Sequence, residues 1–305
     1  MENELIMISK KVTKKIFMPV DVIYQGESEK ILTNMYLFPD NSVDFIITSP
    51  PYADKRKKFY NSIHPDDYVD WFLPISKELL RILKPNGSFV LNIKEHPRNG
   101  QRETYVLKLI LALKDQGWCW IEEYVWYKKN SFPGKWPNRF RDAWERCFHL
   151  TKNEKFKMYQ DSVKVPIGDW AEKRFKSMSD NDFKRHLSQT NSSLGRNVSN
   201  WLNRKKVYPH NVIVFEEEHY VSNVLEFATE CSNRNHSAAF PLELPTWFIK
   251  LFTRKGDIVL DPFLGSGTTA YAALALNRHY VGVEKDQEYI ELINKQIDKL
   301  NKTEN

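Results

Sequence analysis

The chain lacks an apolar run near the roughly 18–20 residues that a membrane-spanning helix requires, so no span is expected along it. Cysteine is scarce. Cys119, Cys147 and Cys231 are the whole complement, odd in number and without metal-like spacing. No disulfide framework is expected, and the setting is read as a reduced cytoplasm. At the start, "MENELIMISKKVTKK" puts its apolar patch ahead of its lysines, not the charge-then-apolar order of a signal peptide. His64, His96 and His149 share no ligand spacing, and no metal is expected. A "GxxxxGK(S/T)" loop is also missing, which argues against nucleotide hydrolysis.

What is present is a globular composition. Of 305 residues, 41% are hydrophobic and 28% charged, enough for one large core with an inserted lobe or for two domains. The net charge of +6 is unevenly spread. Between Lys128 and Lys206 there are 19 Lys and Arg against 8 Asp and Glu, a local balance of +11 that leaves −5 for the rest. A basic middle between acidic ends is the footprint expected for binding a polyanion.

Hydrophobic patterning predicts an α/β fold. Buried strands are expected at 21–26 and 43–48, and a helix over 68–83 runs through the turn "KPNG" into a strand at 88–93. A second helix, 104–117, precedes a strand at 119–128. From about Ser131 to Tyr220 this rhythm fails, in a stretch rich in Lys, Arg, Asn, Ser and aromatics that looks like an inserted lobe. It then returns: helix and turn 241–257, strand 258–263, a Gly-rich turn entering a helix over 265–277, strand 278–286 and helix 287–300. Three parts are predicted: half of a doubly wound core (1–130), a lobe (131–220) and the other half of the core (221–305).

Two segments carry chemistry. "TSPPY" (48–52) holds a hydroxyl, two prolines and a tyrosine at the end of an apolar strand, an unusual way to continue one, because proline fixes φ and removes donors. "LDPFLGSGTTAYAALA" places Gly265 and Gly267 between a strand and a helix, where backbone can pass close to a ligand. Seventeen residues past Gly267, Glu284 ends the next strand, the place where doubly wound folds bond ribose hydroxyls. The turn has no third glycine in register and no Walker lysine, which favours a nucleoside without a pyrophosphate.

Together, "TSPPY" and "DPFLGSGTT" resemble the S-adenosylmethionine-dependent DNA amino-methyltransferases, which methylate the exocyclic amine of cytosine or adenine. The resemblance covers most of the chain except the basic lobe. The order, with the catalytic motif first and the cofactor motif about 215 residues later, is similar to the permuted β class, whose target-recognition domain lies between them. The resemblance implies a Rossmann-like methyltransferase sheet that binds S-adenosylmethionine and double-stranded DNA. Its catalytic residues would be Ser49, Pro50, Pro51 and Tyr52. Its cofactor residues would be Thr48, Asp261, Pro262, Phe263, Gly265, Ser266, Gly267, Thr268 and Glu284, with Glu27 of "YQGES" near the adenine. "NHSAAFPLELPTWFIK" resembles the segment closing over the methionine end, through His236, Phe240 and Pro241. "YVWYKKNSFP" resembles a strand end lining the base pocket, through Trp126 and Lys128. Arg196 and the patch containing Arg204, Lys205 and Lys206 are read as phosphate contacts.

The chemistry explains the proline pair. An exocyclic amine is a poor nucleophile because its lone pair is delocalised, so it needs acceptors for its hydrogens and a methyl group held in line. The Ser49 hydroxyl and Pro50 carbonyl can accept both hydrogens, and Tyr52 can stack on a base rotated out of the duplex. No Pro-Cys dipeptide for attack at ring carbon 5 and no His/Cys zinc signature of a deaminase are present. A serine at the first motif position resembles the enzymes acting on N4 of cytosine. N6-adenine methylation is the alternative, followed by an RNA or protein-glutamine methyltransferase and a catalytically silent DNA-binding subunit. A cognate restriction endonuclease is a partner expected of the family.

Overall fold

A computed structural model describes residues 18–53, 63–95, 97–129, 138–140, 142–179, 205–216 and 240–303. The elements run β1 (Val22–Gln25), α1 (Ser28–Ile31), β2 (Val43–Thr48), α2 (Tyr68–Ile82), β3 (Leu83–Ile93), β4 (Pro97–Arg98), β5 (Gln101–Arg102), α3 (Tyr105–Asp115), β6 (Cys119–Tyr127) and β7 (Trp144–Thr151). A 3-10 turn (Gln160–Val163), β8 (Val165–Pro166), α4 (Asp169–Lys176), β9 (Lys206–Val207) and β10 (Val212–Val214) follow. Last come α5 (Glu243–Phe252), β11 (Ile258–Asp261), α6 (Thr268–Ala275), β12 (His279–Glu284) and α7 (Gln287–Thr303).

Among the described residues, eight strands form one sheet in the order β1-β12-β11-β2-β3-β7-β6-β10. From β1 to β3 every neighbouring pair is parallel. Strand β7 runs antiparallel to both its neighbours, and β10 pairs parallel with β6. The fold is a mixed α/β, Rossmann-like sheet. Central β2, "VDFIIT", is buried at all six positions, as a parallel strand covered on both faces must be. Its one charge, Asp44, is neutralised by Lys84 at 2.7 Å and accepts the Ile258 amide at 3.1 Å, which ties the start of β2 to β11.

One face of the sheet packs Ile46, Leu91 and Leu260 against α2 and α3; the other packs Phe45, Ile47 and Val259 against α5 and α6. Helix α2 shows why it forms: Tyr68, Phe72, Ile75, Leu79 and Ile82 make one buried stripe at helical spacing. The "KPNG" segment is a bulge rather than a clean turn. Val43 pairs with Leu83 and Phe45 with Ser88, so the chain between Leu83 and Ser88 loops out of the ladder.

The stretch 131–220 is not outside the sheet throughout. Trp144–Thr151 lies inside it between β3 and β6, and Val212–Val214 adds its last strand. Alternation could not reveal β7, because its residues 147–151 are all buried whichever face they point to. Inside the sheet, one ring nitrogen of His149, Nε2, lies 3.0 Å from the Ser88 hydroxyl.

Candidate active site

In an open α/β sheet, ligands bind beyond the carboxyl ends of the strands where the strand order reverses. That point lies between β11 and β2: from β11 the chain winds outward to β12, and from β2 it winds the other way to β3. The two motifs, 212 residues apart by Ser49 and Asp261, leave the ends of these adjacent strands.

A buried brace joins them. The Thr48 hydroxyl donates to Asp261 Oδ1 at 2.6 Å, the Thr269 hydroxyl to Oδ2 at 2.6 Å, and the Phe263 amide to Oδ1 at 3.0 Å. Burial pushes the Asp261 carboxyl up to about 6, against the lowering effect of those three donors. Thr48 and Asp261 were expected at the cofactor, but both are buried and committed to each other. In this arrangement they join the "SPPY" loop to the glycine turn.

Within the turn the side chains divide sharply. Pro262, Gly267 and Thr268 are buried, whereas Phe263, Gly265 and Ser266 retain exposure at the crevice. The Pro262 carbonyl accepts the Ser28 hydroxyl, and the Ser266 and Thr268 hydroxyls lie 3.2 Å apart. Gly265 (φ 54°) has left-handed backbone, and a Cβ there would meet only the Phe263 carbonyl oxygen, at 3.9 Å. Gly267 (φ 84°) differs: its Cβ would come within 2.8 Å of Ile293 on α7. Glycine at 267 therefore serves backbone conformation and helix packing.

Glu284 ends β12 and accepts the Gly265 amide at 2.7 Å and the Lys285 and Asp286 amides at 2.9 Å each. Burial raises its pKa while these amides oppose the rise. Three bonds leave a carboxylate with acceptor capacity to spare. Glu27 stands nearby, because the Gly26 amide donates to the Glu284 carbonyl, but its own exposed carboxylate pairs with Lys30. Phe240 and Pro241 are buried, Phe240 within the core on the α5 face. His236 lies outside the described residues, as do Arg196 and Arg204.

The "SPPY" loop is held from behind. Tyr68 donates to the Pro51 carbonyl at 2.8 Å, so the anchored carbonyl is that of Pro51 and not of Pro50. The Ser49 hydroxyl is hydrogen-bonded to Tyr52, whose own hydroxyl donates to Glu145 Oε2 at 2.9 Å. Burial holds the phenols of Tyr52 and Tyr68 well above their ordinary pKa. Both are neutral donors at physiological pH.

Glu145 was missed by the sequence reading. It is the second residue of β7, opposite Trp126 of β6, and its Oε1 accepts a hydrogen bond from the Lys128 ammonium at 2.6 Å. Lys128 also sits 4.4 Å from the centre of the Trp126 ring. Trp126 itself is only 1% exposed and packs in the core, so the structure does not offer it as a surface for a base. Lys205 and Lys206 are exposed. A separate open cavity of about 560 Å³, lined by Tyr159, Lys250, Arg254 and Arg278 among others, lies at the amino ends of β11 and β12, away from this crevice. Among the described residues no cluster of His, Cys, Asp or Glu could hold a metal ion, and no helix is long and apolar enough to cross a membrane.

Comparison with known proteins agrees with this geometry. A family model described as "DNA methylase" matches residues 43–295, spanning both motifs and the stretch between them. The chain is 29% identical over 279 residues to the type II methyltransferase M.PvuII of Proteus hauseri, covering 88% of this chain and 81% of that protein. It is 28% identical over 273 residues to the type II methyltransferase M.BglII of Bacillus subtilis, covering 88% and 67%. Among solved structures, the cytosine-N4-specific PvuII DNA methyltransferase matches with a TM-score of 0.66 and 25% identity, over 91% of this chain and 86% of that one. A complex of M1.HpyAVI with S-adenosylmethionine shares the fold, with a TM-score of 0.52 and 21% identity over 90% and 97%. With its family model covering most of the chain and both motifs meeting at one crevice, the protein belongs to the DNA methylase family.

Proposed function

We propose that the protein transfers a methyl group from S-adenosylmethionine to the N4 amine of cytosine within a short duplex sequence, as the modification enzyme of a restriction-modification pair. The observation that carries this is the Thr48–Asp261–Thr269 brace, which puts the amine acceptors of "SPPY" and the open glycine turn at one crevice. The serine at position 49 and the similarity to a cytosine-N4-specific enzyme support cytosine over adenine.

The residues at the crevice fit the cofactor. The half-buried Gly265–Ser266 backbone gives a close approach with no side chain at Gly265 in the way, and Glu284 keeps an unused acceptor site for a ribose hydroxyl. When bound, S-adenosylmethionine supplies an activated methyl group on a sulfonium. The protein contributes position and acceptors. Ser49 Oγ and the Pro50 carbonyl hold the two amine hydrogens, which localises the nitrogen lone pair, and Tyr52 stacks against the rotated base. This transfer requires neither a covalent nucleophile nor a metal ion.

DNA is the macromolecular substrate in this account. Residues within 131–220 that lie off the main sheet form the target-recognition lobe, and Lys205, Lys206, Arg196 and Arg204 neutralise phosphates there. Incubation with tritiated S-adenosylmethionine and separate duplex DNA, RNA and protein acceptors, followed by hydrolysis, tests the assignment. Label in N4-methylcytosine from DNA supports it, whereas label confined to RNA or protein rejects it, and label in N6-methyladenine moves the target to adenine.

A further inference from the structure

We infer that Glu145 is a positioning residue that couples the base-stacking Tyr52 to Lys128, and that Lys128 thereby becomes the donor that selects cytosine over adenine. This rests on the methyltransferase function proposed above and goes one step further, to what reads the base. Glu145 is 8% exposed, and a buried carboxylate is costly unless its oxygens are paired. Both are paired, and with different parts of the pocket: Oε2 takes the Tyr52 hydroxyl at 2.9 Å and Oε1 the Lys128 ammonium at 2.6 Å. Tyr52 comes from the catalytic loop after β2, Lys128 from the end of β6, and Glu145 from β7. One side chain thus sets the distance between a stacking ring and a cation that are 76 residues apart.

Lys128 has donor capacity left over. Its ammonium carries three hydrogens, of which Glu145 takes one, and the side chain is 25% exposed. The Trp126 face 4.4 Å away holds the charge without removing a donor. Beside its amine, cytosine presents two further acceptors, N3 and O2. Adenine presents N1 and then a C–H. An ammonium tied through Glu145 to the stacking ring can donate to O2 of cytosine, whereas adenine offers it only a C–H at that place.

The test uses the full-length protein and the duplex site identified by methylation mapping, together with the same duplex carrying adenine at the target position. Wild type, Tyr52→Phe, Lys128→Met and Glu145→Gln are compared for kcat, KM and cytosine-over-adenine preference, with S-adenosylmethionine affinity as the check on folding. Lys128→Met and Glu145→Gln are expected to lower the preference about 10-fold or more. Tyr52→Phe removes the hydroxyl that Glu145 holds, so it is expected to lower the preference as well as kcat on cytosine. An unchanged preference in Lys128→Met overturns the proposal, and that variant alters a partly exposed side chain, so it serves even if Glu145→Gln fails to fold. A wild-type enzyme that makes no N4-methylcytosine strikes instead at the function on which this inference stands.

Discussion

Replacing Asp261 with asparagine isolates the brace from the cofactor. The wild-type carboxyl is raised from an ordinary 3.8 to about 6 by burial. A carboxyl whose folded pKa lies above its unfolded one contributes stability that is fully present below pH 3.8 and is lost as pH rises through 6. A shift of about two units corresponds to roughly 3 kcal/mol between the ends of that window. Asparagine keeps an acceptor for Thr48 and the Phe263 amide, and the Thr269 hydroxyl can turn to accept from the new amide, so the bonding survives without a buried charge. Urea unfolding of both proteins at pH 4 and pH 8 should therefore show their stability difference moving in favour of asparagine by up to about 3 kcal/mol. Affinity for S-adenosylmethionine should change no more than a few-fold, because Asp261 faces the brace. A pH-independent stability difference, or a large loss of cofactor affinity, would refute the assignment of Asp261 as an internal support.

Other substitutions separate packing from binding. Gly267→Val should destabilise the fold, since its Cβ would press on Ile293 at 2.8 Å from left-handed backbone, and a lowered thermal midpoint in the absence of cofactor is the readout. Glu284→Ala should weaken S-adenosylmethionine binding by roughly 1.5–3 kcal/mol, the range for hydrogen bonds to a charged group, measurable by calorimetry. Lys205→Glu with Lys206→Glu should weaken DNA binding across all sequences and flatten its salt dependence, and a full wild-type slope would take this pair out of the interface.

Much of the fold was legible because local signals agreed with it. The continuous apolar run of β2, the buried stripe of α2 and the glycine turn before α6 each reflect a constraint confined to a few neighbouring residues. What escaped depended on distant partners. Strand β7 carries Glu145, Arg146 and His149, polar residues that interrupt any apolar run and are buried or half-buried only because β3 and β6 flank them. The Tyr52–Glu145 bond spans 93 residues, and no spacing rule announces it. Trp126 was placed at the base pocket through a motif, yet its ring fills the core and only Lys128, two residues on, reaches Glu145. In the same way, glycine at 267 was legible as a need for space but not the identity of what fills it, which is a side chain of α7.

The central claim is that Ser49 and Pro50 prepare an exocyclic amine of DNA for methylation beside a cofactor held at Gly265 and Glu284. Mass spectrometry of nucleosides from duplex DNA, treated with S-adenosylmethionine and either wild type or Ser49→Ala, tests it most directly. Wild type should yield N4-methylcytosine, and Ser49→Ala should yield it about 10²–10³-fold more slowly with cofactor affinity unchanged, the pattern of an acceptor that matters mainly in the transition state. Near-wild-type turnover by Ser49→Ala, or no methylated base from the wild-type protein, would contradict it.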